Sequence, residues 1–192
     1  MNNTLKVLKF FVEHKDSTIT INKVAEALKM NYRIVYEEVL SLEKEDMLRI
    51  TRIGNANICQ FNYKYSSKVI EIEDIRKEEV CKSKDIALIY KRIREIKNPF
   101  YILLLFGSYA NKSHTKHSDI DLCLITDNKI VSEEVNTVVQ ITPLKIQLQE
   151  FSSEQFRIML KSKQVNVGNE IVKNNIIFYG LESFYELVNN AV

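Results

Sequence analysis

Two aspartates, Asp119 and Asp121, alternate with Ile120 and Leu122 a short way downstream of Gly107-Ser108, the pair that closes the apolar run Phe100 to Phe106. Nothing else in the chain limits its fold as much. An apolar run bounded by Pro99 and Gly107 reads as a buried strand, and Ile120 to Thr126 reads as a second one. Gly107 lets the backbone turn sharply where a Cβ would clash. Side chains two apart leave a strand on the same face, so Asp119 and Asp121 project together while Ile120 and Leu122 anchor them in the core. Two carboxylates side by side repel unless a divalent cation neutralises them, and Mg²⁺ bridging a nucleoside triphosphate supplies that charge. The glycine also leaves room for a phosphate against the main chain. Ser108 adds a hydroxyl donor, and the amides opening the next helix favour an anion.

The whole stretch runs Leu105-Phe106-Gly107-Ser108-Tyr109-Ala110, seven residues, then Ser118-Asp119-Ile120-Asp121-Leu122. It resembles the signature of the DNA-polymerase-β-like nucleotidyltransferase superfamily, in particular its small stand-alone minimal members. The resemblance covers residues 99–192, although the motif itself is short. It implies that Gly107 and Ser108 hold triphosphate and that Asp119 and Asp121 are catalytic residues that bind Mg²⁺ or Mn²⁺. Lys112 and Ser118 are expected beside the nucleotide, ATP or another NTP.

The chain departs from that signature twice. The family's glycine two residues after the alanine is Lys112 here, which stiffens the loop. A third carboxylate is expected from a later strand, where it completes the metal site and assists deprotonation of the attacking hydroxyl. The matching strand is Leu144 to Phe151, and the positions due an acid hold Gln147 or Gln149. A neutral amide is no base near neutral pH. Glu150 alternates to the opposite face, and Glu133 and Glu134 fall on an expected helix as solvated residues. His114, His117 and Cys123 lack zinc-site spacing, and the histidines read as exposed loop residues. The sequence therefore leaves two readings: a Mg²⁺-dependent transferase moving a nucleoside monophosphate onto a hydroxyl of protein, RNA or a small molecule, or a degenerate nucleotide-sensing domain in a DNA-binding regulator or antitoxin.

The first 65 residues have a different character. Helical spacing marks residues 3–14, a helix through Val24 to Leu28 capped by Thr20 or Asn22, and a third from Tyr32 to Glu45 capped by Asn31. Met47 to Ile53 and Ala56 to Tyr63 flank Gly54-Asn55, a hairpin signal. Three helices and a hairpin resemble a winged helix-turn-helix. Tyr32, Arg33 and Tyr36 would then meet double-stranded DNA from the third helix, with Arg49 and Arg52 on the wing and Lys64 beyond it. Residues 1–65 hold ten Lys/Arg against eight Asp/Glu, so this half is barely basic. Residues 66–98 carry Val69, Ile72, Ile86 and Ile89 at helical spacing and read as one or two connecting helices ended by Pro99; their apolar face is a candidate homodimer surface.

The expected class is α+β: a winged helix-turn-helix over 1–65, a connecting helix over 66–98, and over 99–192 a small nucleotidyltransferase-fold α/β domain with a mixed sheet. The apolar run at Phe100 is far shorter than the ~20 residues of a membrane span. With no signal-peptide pattern and no CxxC among Cys59, Cys81 and Cys123, the chain reads as cytoplasmic with reduced thiols. Its partners are expected to be a nucleotide, DNA, and a protein encoded nearby, but no membrane.

Overall fold

The computed structural model describes residues 1–15, 17–162 and 164–191. The chain forms two compact units, Met1–Ile72 and Glu73–Val192, and the division falls inside one helix.

The smaller unit begins with α1 (Asn3–Glu13), two-residue β1 (Ile19–Thr20), α2 (Ile21–Leu28) and α3 (Tyr32–Lys44), then β2 (Leu48–Ile53) and β3 (Ala56–Phe61). The caps are those the residue types favour. Thr20 accepts from the Lys23 amide and Asn31 from the Arg33 amide. Gly54 turns the hairpin with φ +60°, the left-handed region in which glycine meets no Cβ penalty. Strand β1 escapes periodicity because two residues are too few to show alternation. It pairs with β3 through Ile19 and Cys59, giving a sheet ordered β1-β3-β2. Leu8, Phe11, Val24, Val35, Val39, Leu42 and Cys59 fill the core.

Residues 66–98 form two helices, α4 (Ser67–Val80) and α5 (Lys84–Ile93), with the unit boundary inside α4. The larger unit continues with β4 (Ile102–Phe106), the four-residue α6 (Gly107–Ala110), β5 (Ile120–Ile125), α7 (Lys129–Ile141), β6 (Ile146–Phe151), α8 (Ser153–Lys161), α9 (Val167–Lys173), β7 (Asn175–Tyr179) and α10 (Leu181–Asn189). Two strands start later than their apolar runs. Phe100 is 81% exposed, and its amide is turned back to the Asn98 side chain, so β4 begins only at Ile102. Leu144 is caught in a turn with Thr142 ahead of β6.

The sheet order is β6-β5-β4-β7, parallel between β5 and β6 and antiparallel elsewhere, so it is mixed as expected. Leu103, Leu105, Ile120, Leu122, Leu124, Ile176 and Phe178 pack on one face with Ile86, Ile89 and Ile93 of α5 and Val131 and Val135 of α7. Helices α8 and α10 contact β6 and β4, and bury Phe156, Phe184, Tyr185 and Val188. Ser152 and Gln155 form a reciprocal capping box that starts α8. Among the described residues no helix is long and apolar enough to cross a membrane.

Candidate functional site

One row of residues crosses the four strands of the larger unit at a single end of the sheet. Asn175 pairs with Phe106, Phe106 with Asp121, and Asp121 with Gln147. Partners across a ladder share a face, so Asp121 and Gln147 leave the sheet on one side. Asp119 stands just before β5 and joins them: Gln147 Nε2 donates to Asp119 Oδ2 at 2.8 Å.

Gly107 follows Phe106 directly, with φ +67°. A Cβ built there would stand 2.2 Å from Asp121 Oδ2, so the position excludes a side chain both by conformation and by contact. The glycine turn and the acidic pair are thus one structure, with bare main chain against a carboxylate. The Asp121 carboxyl is raised above its ordinary value, first by burial and then by the charge of Asp119. A cation between the two would oppose both effects by favouring the charged carboxylates.

Gln147, not Gln149, meets the acid pair; Gln149 lies two residues further along β6, opposite Cys123. Glu150 points away, as its alternation dictates. It accepts from Ser132 Oγ and Asn136 Nδ2, each at 2.5 Å, and so is committed to α7. Among the described residues no group of three or more His, Cys, Asp or Glu gathers at metal-binding distance. Two carboxylates beside an open glycine turn do fit a cation that brings phosphate oxygens as its remaining ligands; they do not make a closed protein cage.

The neighbouring residues are placed as follows. Lys112 adopts φ +62°, the left-handed conformation glycine favours, which gives a physical reason for a glycine at this loop position. Its ammonium lies 3.3 Å from Glu79 Oε2 on α4. Ser118 Oγ accepts from the Thr115 amide at 2.9 Å and so braces the spacer loop. His114 stacks on Tyr109 with ring centroids 4.2 Å apart, and His114 and His117 are both exposed. The Cys123 thiol is pushed up to about 12 by burial, as inert as a structural thiol should be.

In the smaller unit the candidate contact residues are dispersed. Tyr32 and Tyr36 of α3 stack at 6.0 Å, and Arg33 Nε is engaged by Glu37 Oε1 at 3.1 Å. Arg52 Nε donates to the Gly54 carbonyl of its own hairpin at 3.2 Å. Arg49 and Arg52 stand three apart on β2 and therefore alternate to opposite faces, so the structure does not bring them together.

Sequence reasoning missed a buried polar cluster formed by Glu73, Arg76, Asn175 and Tyr185. The first two look like a solvated i,i+3 pair on a charged helix. The latter two lie in apolar runs, where a polar side chain was the available signal.

Residues 91–182, just under half of the chain, match the family model described as Polymerase beta, Nucleotidyltransferase. The match supports the nucleotidyltransferase superfamily for that segment. No curated protein matches the chain. Among solved structures, one described as the crystal structure of the toxin-antitoxin with AMP-PNP is similar at 20% identity over 54% of this chain and 80% of its own, with a TM-score of 0.37.

Proposed function

With the match of residues 91–182 to the nucleotidyltransferase superfamily as premise, we propose that the larger unit binds a nucleoside triphosphate with Mg²⁺ or Mn²⁺ and transfers its nucleoside monophosphate to a hydroxyl. The observation that carries this reading is the contact of the Gly107 turn with Asp121, which puts an anion-accepting backbone and an acidic pair in one place.

In this reading Gly107 and the Ser108 hydroxyl receive triphosphate oxygens, and Asp119 and Asp121 hold the cation. The bound cation neutralises charge on the triphosphate. The acceptor oxygen forms its bond to the α-phosphorus as the bond to pyrophosphate breaks, and the acceptor proton goes to solvent. Gln147 takes no proton. It keeps Asp119 turned toward the site without adding charge. With two carboxylates in place of three, cation affinity is lower and turnover slower than three acids would give. Lys112 would exchange Glu79 for a phosphate oxygen when nucleotide binds.

For the smaller unit we propose a winged helix-turn-helix that meets double-stranded DNA along α3. The order α1-β1-α2-α3-β2-β3 supports the fold, and exposed Tyr32 and Arg33 with half-buried Tyr36 support the contact.

The transferase reading is tested with α-labelled NTPs, Mg²⁺ or Mn²⁺, and four acceptors: the chain itself, RNA, small hydroxyl compounds, and the protein encoded beside it. Label on an acceptor with matching pyrophosphate release is expected. Absence of label with every nucleotide and acceptor would sink it.

A further inference from the structure

An ionic cluster joining α4, β7 and α10 is not used by the proposed chemistry. Glu73 and Arg76 of α4 are 2% and 6% exposed, while Asn175 and Tyr185 are fully buried. Tyr185 Oη donates to Glu73 Oε1 at 2.6 Å, and Arg76 Nη1 donates to Glu73 Oε2 at 2.5 Å. The other arm of the guanidinium, Nη2, donates to the Asn175 carbonyl oxygen at 2.8 Å. The Asn175 side chain in turn donates to the carbonyls of Ile171 and Val172 at 2.8 and 3.0 Å, closing the end of α9.

A buried ion pair is weak evidence for stability, since apolar residues of similar volume often serve as well or better. What a planar guanidinium offers is geometry: a fixed fork that ties two acceptors at set angles. Here the fork ties α4 to β7 at Asn175, on an edge strand of the sheet. Asn175 is the ladder partner of Phe106, and Phe106 leads into Gly107. Glu73, Arg76 and Tyr185 all lie outside residues 91–182, so the family match says nothing about them.

We propose that Arg76 is a positioning residue for the phosphate-facing turn. It fixes β7 at Asn175, and through the Asn175–Phe106 pair it fixes the backbone entering Gly107 against Asp121. Its consequence for nucleotide binding rests on the reading given above; the backbone effect does not.

The chain has four glycines, Gly54, Gly107, Gly168 and Gly180, so ¹⁵N-glycine labelling gives a spectrum of four assignable amides. Two variants separate positioning from plain stability. Arg76→Lys keeps a cation against Glu73 but loses the fork, whereas Tyr185→Phe weakens the far end of the cluster and leaves the arm on Asn175 intact. The Gly107 amide is expected to move by more than its linewidth in Arg76→Lys, with Gly54 unmoved. In Tyr185→Phe the Tm falls while Gly107 stays in place. The dissociation constant for Mg²⁺–AMP-PNP is expected to rise about tenfold in Arg76→Lys and by less than about twofold in Tyr185→Phe. A stationary Gly107 in Arg76→Lys, or equal movement in both variants, overturns the positioning role. If the wild type binds no nucleotide, the proposed function fails, and the Gly107 shift alone still decides the inference.

Discussion

The two units of this chain place their candidate residues in opposite ways. In the larger unit, Asn175, Phe106, Asp121 and Gln147 are set by strand register into one row, and Gly107 is pressed against a carboxylate. In the smaller unit, Tyr32, Arg33, Arg49 and Arg52 are exposed, and two of the three arginines are occupied within the unit, Arg33 by Glu37 and Arg52 by its own turn. The first arrangement is set by strand pairing and by the close approach of main chain to a carboxylate. The second is a set of solvated side chains on a scaffold. Substitutions that disturb the backbone or its buried ties should therefore be costly in the first, and changes in the second nearly silent for stability.

The largest effect is expected from Arg76→Met, which leaves the Glu73 carboxyl buried without its cation. Breaking a buried pair in this way costs about 3–5 kcal/mol, to be read as a fall in the denaturant midpoint of the larger unit. A loss below about 1 kcal/mol would mean that the cluster is wetter than its exposure indicates.

Asp121→Asn comes next, and its two effects run in opposite directions. Removing one of two formal charges should weaken Mn²⁺ binding roughly a thousandfold, since a single charge interaction at contact in a partly screened site is about 4 kcal/mol. The apo protein should hold its stability or gain some. Burial and Asp119 raise the Asp121 carboxyl, so the folded state keeps that proton more tightly than the unfolded chain does. Wild-type stability therefore falls as pH rises from the ordinary carboxylate range through the raised value, and the asparagine variant lacks that fall. Thermal melts at several pH values with Mn²⁺ titrations check both halves.

Gly107→Ala forces a side chain into φ +67° and onto Asp121. The backbone strain alone is about 1–3 kcal/mol, and nucleotide affinity should fall with it. Gln147→Glu restores a third charge and should raise Mn²⁺ affinity about tenfold, at the expense of apo stability. Smallest of all, Arg33→Ala or Arg52→Ala should change stability by under about 0.5 kcal/mol, while each lowers the salt dependence of duplex binding by a slope of about 1. A large stability loss from either would erase the contrast between the units.

The same contrast explains what could be read from the residues. The buried strand before Gly107 and the paired aspartates were legible because each carries its own physical signature: an apolar run, a glycine that must turn, and alternation that puts two acids on one face. Gln147 was legible as one of two candidates, and parallel register with Asp121 selects it over Gln149. Helices α1 to α3 and the hairpin at Gly54 were legible from periodicity and caps. Strand β1 was not, being too short for a period. The Glu73–Arg76–Asn175–Tyr185 cluster was not legible either, because it joins residues about a hundred positions apart, and such pairing leaves no local trace. The separation of Arg49 from Arg52 follows from the two-residue strand period and was available from the start.

The central claim is that the acid pair and the glycine turn share one cation and one triphosphate. Paramagnetic broadening tests it most directly, with Mn²⁺ and AMP-PNP titrated into ¹⁵N-glycine protein. The Gly107 amide should vanish at low Mn²⁺ while Gly54 persists, and it should survive in an Asp119→Asn/Asp121→Asn variant. A Gly107 signal that stays sharp in the wild type, or that broadens equally in the variant, would contradict the account.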